Sequence, residues 1–163
     1  MTNKTMNPLL RKAKIADVNS IAKVYLSSRK ELVSFAPLIH TDESIYQWIR
    51  NVLLPKEQVI VAEEKGIIIA MMALITVEKI GWIRQLYIHP DAVGQGVGTV
   101  MIKRAKSILG SPIRLYTFQE NIGARRFYER HGFRAVEFDD GSANEENCPA
   151  VLYEWMASDK RES

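Results

Sequence analysis

Cysteine is almost absent from this chain of 163 residues, in which Cys148 is the only one. A single thiol cannot form a disulfide within the chain, so a secreted fold held by internal disulfides is excluded. Long apolar runs are missing too, because the longest, residues 67–77, is about half of the ~20 residues that span a bilayer. Residues 1–8 also lack the apolar core of a secretory signal. The sequence therefore predicts a cytoplasmic protein with no membrane partner.

An excess of charge of one sign is also missing. Lysine and arginine total 22 against 19 acidic residues, a net charge of +3, which is too mild and too dispersed to predict a nucleic-acid partner. The histidines, His40, His89 and His131, do not follow the spacing of metal ligands, so we predict no metal. The 47% of hydrophobic residues, without repeats or a flexible linker, predict one domain over residues 1–163.

The periodicity of apolar residues predicts alternating helices and strands. The first helix has Asp17 as its N-cap, and the second begins at Thr41 or Asp42 and is stopped by Pro55. A third helix follows the glycines near residue 96, and a fourth begins at about Asn121. Strands are predicted over residues 9–13, 58–63, 67–77, 82–88, 113–118, 133–138 and 150–156. We therefore expect an α+β fold: a mixed sheet of about six to seven strands, antiparallel in its first half with a parallel pair at its middle, flanked by about four helices.

Three alternate glycines, Gly94, Gly96 and Gly98, lie between a predicted strand and a predicted helix. Peptide N–H groups that carry no side chains between them can converge on a phosphate at such a helix N-terminus. A flexible turn with a close helix contact is the alternative. A P-loop is excluded because no Gly-Lys-Ser/Thr follows. A dinucleotide-binding site, in which Glu120 would bind the ribose, stays open as an alternative. It leaves the antiparallel strands and the residues after Glu120 without a role.

The residues around this glycine cluster carry a family resemblance. They are Leu86-Tyr87-Ile88, Gly96-Val97-Gly98, Asn121, Tyr128 and Gly132-Phe133. Together they resemble the GNAT superfamily of acetyl-CoA-dependent N-acetyltransferases. The signature of that family is Arg or Gln, two residues, Gly, one residue, then Gly or Ala, and Val93 stands at its first position here. The resemblance is strongest over about residues 81–138 and fades before residue 58.

The resemblance implies a GNAT-like fold in which the strand with residues 86–88 separates from the strand at 113–118. The pantetheine arm of acetyl-CoA would lie in that gap as an added strand. Residues 58–138 would then hold acetyl-CoA, and residues 15–55 and 139–156 would form the acceptor side. The implied contacts to acetyl-CoA are Leu86, Tyr87, Ile88, Val93, Gly94, Gln95, Gly96, Val97, Gly98, Thr99 and Asn121. Asn121 is equally natural as an N-cap of the helix that follows it.

Tyr128 matches the tyrosine that, in the family, protonates the departing thiolate. A phenol of pKa about 10 can share a proton with a thiolate of pKa about 8.5. Packing of this ring in the core is the alternative. The base that deprotonates the amine stays open among Glu78, Glu120, Glu145 and Glu146, each of which is also typical of a solvated surface.

The implied reaction is direct transfer of an acetyl group to a primary amine of a small molecule or peptide, in a ternary complex. Residues 29–42 and the acidic loop 139–149 are expected near the acceptor, with core packing and a solvated loop as the alternatives. Val93 and the absence of an acid at the start of strand 82–88 motivate a second hypothesis, a non-catalytic acyl-CoA sensor. A dinucleotide-dependent oxidoreductase is the third. The acceptor, the use of other acyl groups and the oligomeric state stay open, with a homodimer as one possibility.

Overall fold

The computed structural model describes residues 5–158, and within them a seven-stranded sheet forms the centre of the molecule. Its order is β1-β2-β3-β4-β5-β7-β6. Every neighbouring pair is antiparallel except β4 and β5, which run parallel. The strands are β1 Leu9–Lys12, β2 Gln58–Glu64, β3 Ile67–Val77, β4 Ile80–Ile88, β5 Ile113–Phe118, β6 Arg134–Phe138 and β7 Ala150–Trp155. The predicted mixed sheet with one parallel pair is confirmed.

Helices cover both faces of this sheet. They are α1 Val18–Leu32, α2 Asp42–Trp48, α3 Leu54–Lys56, α4 Val97–Leu109 and α5 Ile122–Arg130, with a π-helical turn, Ile49–Leu53, joining α2 to α3. The long apolar run of β3 is explained by this arrangement, because successive side chains of a strand point to opposite faces. Met71 and Ala73 pack into the core under α1 and α2, whereas Ala70, Met72 and Leu74 pack into the core under α4 and α5.

The helix start predicted at Asp17 is confirmed in position, whereas the helix end predicted at Pro55 is wrong. Asp17 precedes α1, but its carboxylate does not cap that helix; it accepts hydrogen bonds from the Lys14 N–H at 2.7 Å and from both terminal nitrogens of Arg11 at 2.8 and 3.0 Å. Pro55 does not stop the second helical segment, which ends after Lys56. Pro55 lies in the first turn of α3, directly after the π-helical turn, where a missing N–H is tolerated.

The ion pair of Asp17 with Arg11 fastens the start of α1 to strand β1, so we expect Asp17→Asn to lower the free energy of unfolding by about 2 kcal/mol at pH 7. Hydrogen bonds from Arg11 lower the pKa of Asp17 below its usual value of 3.8. A lowered pKa contributes stability above pH ~4, and this is lost as the pH falls through the folded-state pKa. Denaturant unfolding at pH 7 and pH 3 should therefore show that the free energy of unfolding falls less between these two pH values in the variant than in the wild type.

The matched control for this prediction is Asp42→Asn, because the Asp42 pair with Lys30 is exposed and 3.5 Å long. Exposed ion pairs contribute about 0–1 kcal/mol, so this variant should unfold almost as the wild type does. An equal loss of stability in both variants would contradict the anchoring role of Asp17.

The sheet opens at its middle, between the parallel strands β4 and β5. They pair only through Gly81 with Ile113 and Trp82 with Arg114. Beyond that point β4 carries a bulge at Arg84, where its register against β3 shifts. A bulge bends and twists a strand, and here it accompanies the separation from β5. The later residues of β4 therefore have no strand partner on the β5 side. No helix within residues 5–158 is long and apolar enough to cross a membrane.

Candidate functional site

The glycine loop connects the open end of β4 to α4. Gly94 and Gly96 have φ angles of +81° and +87°, in the left-handed region that favours glycine. A Cβ placed on Gly94 would meet nothing within 4 Å, so the loop faces open space there. The helix α4 begins at Val97, and the N–H groups of a first helical turn have no acceptor inside the helix. This end of α4 is therefore suited to an anion.

Gly98 has a different role, which is close packing. A Cβ on it would lie 2.8 Å from two ring carbons of Phe127 and 3.2 Å from Cδ1 of Ile88. A hydrogen bond of 3.1 Å between Thr99 Oγ1 and His131 Nε2 strengthens the same contact between α4 and the end of α5. The missing side chain at Gly98 thus lets α5, which carries Tyr128, pack against the first turn of α4.

Tyr128 is 8% exposed and lies among aromatic rings, with ring centroids 5.3 Å from Phe127, 5.8 Å from Phe133 and 6.2 Å from Tyr153. Its packing in the core is therefore observed. Across residues 5–158 no group hydrogen-bonds to its hydroxyl. Burial raises the pKa of Tyr128 above its usual value of 10, so the phenol stays protonated at neutral pH.

Asn121 and Val93 complete the residues predicted on this side. The side-chain oxygen of Asn121 accepts a hydrogen bond of 3.2 Å from the Ala124 N–H, so its role as the N-cap of α5 is observed. Its contact with a pantetheine arm stays a prediction. Val93 is 48% exposed in an extended conformation just before the glycine loop. An aliphatic side chain there supplies no charge to an anion.

A cavity of about 810 Å³ lies on the other side of the opening, beyond the diverging strands. Its walls come from α1, α2, the connection between them, β4, β5 and the loop 139–149. Aromatic rings form one wall: the ring of Tyr25 lies 4.8 Å from that of Tyr87 and 5.7 Å from that of Trp48. Because Tyr87 belongs to β4, this cavity adjoins the strand that the sequence predicts to bind acetyl-CoA.

The loop 139–149 forms the acidic side of the cavity and is held by its own hydrogen bonds. The Asn144 side chain donates to the Cys148 carbonyl at 2.8 Å and accepts from the Cys148 N–H at 3.2 Å. Gly141 has a φ of +83°, and a Cβ there would run into the Cys148 carbonyl group. Glu145 lies 3.0 Å from Nε2 of His40, which joins the loop to the connection between α1 and α2.

The structure brings some of the predicted acceptor residues together and separates others. Glu145 and Glu146 line the cavity, whereas Glu78 and Glu120 are not among the lining residues of the described chain. Phe35 is also absent from the lining, because its ring packs edge-on against Phe118 at 6.0 Å.

Arg29 lines the cavity and is 4% exposed, but it enters the sequence-based prediction only as the first residue of the segment 29–42, with no role of its own. A signal was present. Arg29 continues the apolar stripe of α1, four residues after Tyr25 and eight after Ile21. A charged residue in the buried stripe of a helix marks either a structural ion pair or a binding site.

A family model and a curated relative both match most of this chain. The family model described as the Acetyltransferase (GNAT) family matches residues 22–133. A curated relative, an uncharacterized N-acetyltransferase of Archaeoglobus fulgidus, is 27% identical over 148 residues, which cover 83% of this chain and 99% of the relative.

Solved structures share the fold at lower identity. The PaiA N-acetyltransferase of Thermoplasma acidophilum, in complex with coenzyme A, has a TM-score of 0.73 at 20% identity over 93% of this chain and 100% of its own. The apo form of YjaB from Escherichia coli has a TM-score of 0.74 at 19% identity over 94% of this chain and 100% of its own.

Proposed function

Because this chain belongs to the Acetyltransferase (GNAT) family, we propose that it transfers an acetyl group from acetyl-CoA to a primary amine. The observation that carries this proposal is the opening between β4 and β5, which has the glycine loop at one end and the acidic cavity at the other. In this proposal residues 58–138 bind acetyl-CoA, residues 15–55 and 139–156 bind the acceptor, and the two parts work as one domain.

The residues of the opening suit acetyl-CoA. The N–H groups of residues 94–99 offer donors and the positive end of the α4 dipole to a diphosphate. The unpaired edge of β4 at Leu86, Tyr87 and Ile88 offers backbone groups to the amides of a pantetheine arm. Because backbone groups supply these contacts, Val93 in place of the family's Arg or Gln removes one side-chain contact only.

Acetyl-CoA supplies a thioester whose carbonyl carbon the amine attacks, so that a C–N bond forms and the C–S bond breaks. A backbone N–H of β4 would hold the carbonyl oxygen, and the Tyr128 hydroxyl would give its proton to the leaving sulfur. Burial raises the pKa of Tyr128, and the same dry surroundings raise the pKa of a thiol. The site therefore raises the pKa of both the phenol that gives the proton and the thiol that receives it.

The attacking amine must first lose a proton, because an alkyl ammonium has a pKa of about 10.4. We propose His40, paired with Glu145 at 3.0 Å, as the group that accepts it, since an imidazole nitrogen can act as a general base and this pair lines the cavity. His40→Gln should lower kcat/KM by about 10–100-fold at pH 7, with the loss shrinking toward pH 10. A pH profile of initial rates measures this, and a loss independent of pH would contradict the role.

The test of the proposed function is release of free thiol from acetyl-CoA across a panel of amines. We expect at least one amine to raise the rate clearly above hydrolysis, with the acetylated amine found by mass spectrometry. If calorimetry shows acetyl-CoA binding while no amine raises thiol release, the chain is an acyl-CoA sensor. If NAD binds in preference to acetyl-CoA, the acetyltransferase proposal is wrong.

A further inference from the structure

The guanidinium of Arg29 is a buried charge with few partners. It is 4% exposed, and burying a charge is costly unless hydrogen bonds replace those to water. Within residues 5–158 its one well-formed hydrogen bond is from Nη2 to the Pro37 carbonyl at 3.2 Å, and Nη1 lies 3.4 Å from the Tyr25 hydroxyl. The Nε atom is buried with no acceptor in the described part of the chain. An arginine has five N–H donors, so most of its capacity is unused.

The nearest carboxylate does not make up this deficit. Oε2 of Glu146 lies 3.7 Å from Nη1 of Arg29, close enough for an ion pair but longer than a hydrogen bond. Glu146 comes from the loop 139–149, on the acidic side of the cavity, and its side chain is 15% exposed. A carboxylate thus already lies beside Arg29, but at a distance that leaves its donors unmatched.

We propose that Arg29 binds a carboxylate of the acceptor, so that the acceptor is an amino acid or a similar amine that carries an oxyanion. This rests on the proposed acetyltransferase function and specifies its substrate class. A planar guanidinium matches a carboxylate through paired hydrogen bonds. Glu146 lies next to this site, 3.7 Å from Nη1 of Arg29, and in this proposal the acceptor carboxylate displaces it.

The rest of the cavity fits an acceptor with charges of both signs. Glu145 and Asp139 line it together with Arg29, so an ammonium and a carboxylate each find an opposite charge. Arg84 also lines the cavity, but its side chain is exposed, and a hydrated guanidinium gains less from a ligand than a buried one. The rings of Tyr25 and Tyr87, 4.8 Å apart, connect Arg29 to β4, so the carboxylate site lies close to the strand proposed to bind the thioester.

The experiment compares matched amines: phenylalanine with phenethylamine and phenylalaninamide, and leucine with isoamylamine and leucinamide. The amine of the amide is less basic than that of the amino acid, and the amine of the decarboxylated compound is more basic. Basicity alone therefore predicts a steady trend across each set of three. Carboxylate recognition instead makes the amino acid the best substrate, with kcat/KM about 100-fold above both counterparts.

Variants assign this preference to Arg29. Arg29→Gln should remove the ~100-fold advantage of the amino acid, while kcat/KM for phenethylamine stays within about threefold of the wild type. Arg29→Lys should keep part of the advantage, because the positive charge remains although the paired N–H groups of the guanidinium are lost. Glu146→Gln should lower KM for the amino acid, because a competing carboxylate is gone. Lys30→Gln, which removes an exposed charge from the same helix, is the matched control and should leave the preference unchanged.

Each result decides between the proposals. If the amino acid and its decarboxylated counterpart turn over equally in the wild type, carboxylate recognition is wrong while acetyl transfer stands. If Arg29→Gln and Arg29→Lys slow both substrates equally, Arg29 only holds the fold, and the inference is overturned. If no amine of the panel raises thiol release, the acetyltransferase function itself fails.

Discussion

Replacing Gly96 with glutamate is expected to weaken coenzyme A binding by at least about 100-fold. Gly96 has a φ of +87° directly before α4, and a side chain in this left-handed conformation costs about 1–2 kcal/mol. A carboxylate there also repels a diphosphate on the neighbouring N–H groups, by several kcal/mol at short range. That repulsion exceeds the roughly 2.7 kcal/mol that corresponds to a 100-fold loss of affinity, whereas the backbone strain lowers the stability of the free protein and of the complex alike. Calorimetry with coenzyme A measures it.

Gly96→Gln is the matched control, because it carries the same strain and nearly the same bulk without the charge. A Cβ at this position lies 3.2 Å from Thr5 Cγ2 in either variant, so that crowding cancels in the comparison. The glutamine variant should bind coenzyme A at least about 10-fold more tightly than the glutamate variant, with the gap narrowing at high salt. Equal affinities would mean that no phosphate lies against this loop.

Replacing Tyr128 with phenylalanine is expected to lower kcat by about 100-fold or more while the affinity for coenzyme A changes little. The hydroxyl makes no hydrogen bond within residues 5–158, so its removal leaves no partner unsatisfied and should not lower the melting temperature. Since burial raises the pKa of Tyr128 above 10, the wild-type rate should not fall on the alkaline side until above pH ~10.

Tyr46→Phe is the control for this substitution, since Tyr46 is a partly buried phenol on α2 that does not line the cavity. Its turnover should match the wild type. If Tyr128→Phe turns over at the wild-type rate, another group or water protonates the thiolate.

The sequence predicts the fold well because its elements obey local rules. The residues 67–77 are apolar without alternation, and β3 proves to be buried on both faces. Turn residues such as Lys65 and Gly66, both with positive φ, separate the strands where the pattern places them. The missing cap at Asp17 and the wrong helix end at Pro55 have a different origin: Arg11 and the Lys14 N–H take the carboxylate of Asp17, and a π-helical turn precedes Pro55.

The candidate site is predicted only in part, because only some of its residues follow a local pattern in the sequence. The glycine loop and Tyr128 lie in a contiguous stretch with a recognisable spacing, so the sequence suffices to propose them. The cavity is assembled from segments far apart in the chain. The contact of His40 with Glu145 joins residues 105 positions apart, and Arg29 becomes unusual only once its burial beside Glu146 is known. Pairings of this kind depend on tertiary packing, which no local pattern specifies.

The crystal structure of this protein with coenzyme A tests the proposed site most directly. We expect the diphosphate on the N–H groups of residues 94–99, the pantetheine arm along Leu86, Tyr87 and Ile88, and the sulfur within hydrogen-bond distance of the Tyr128 hydroxyl. Coenzyme A bound away from the opening between β4 and β5, or a sulfur remote from that hydroxyl, would contradict it.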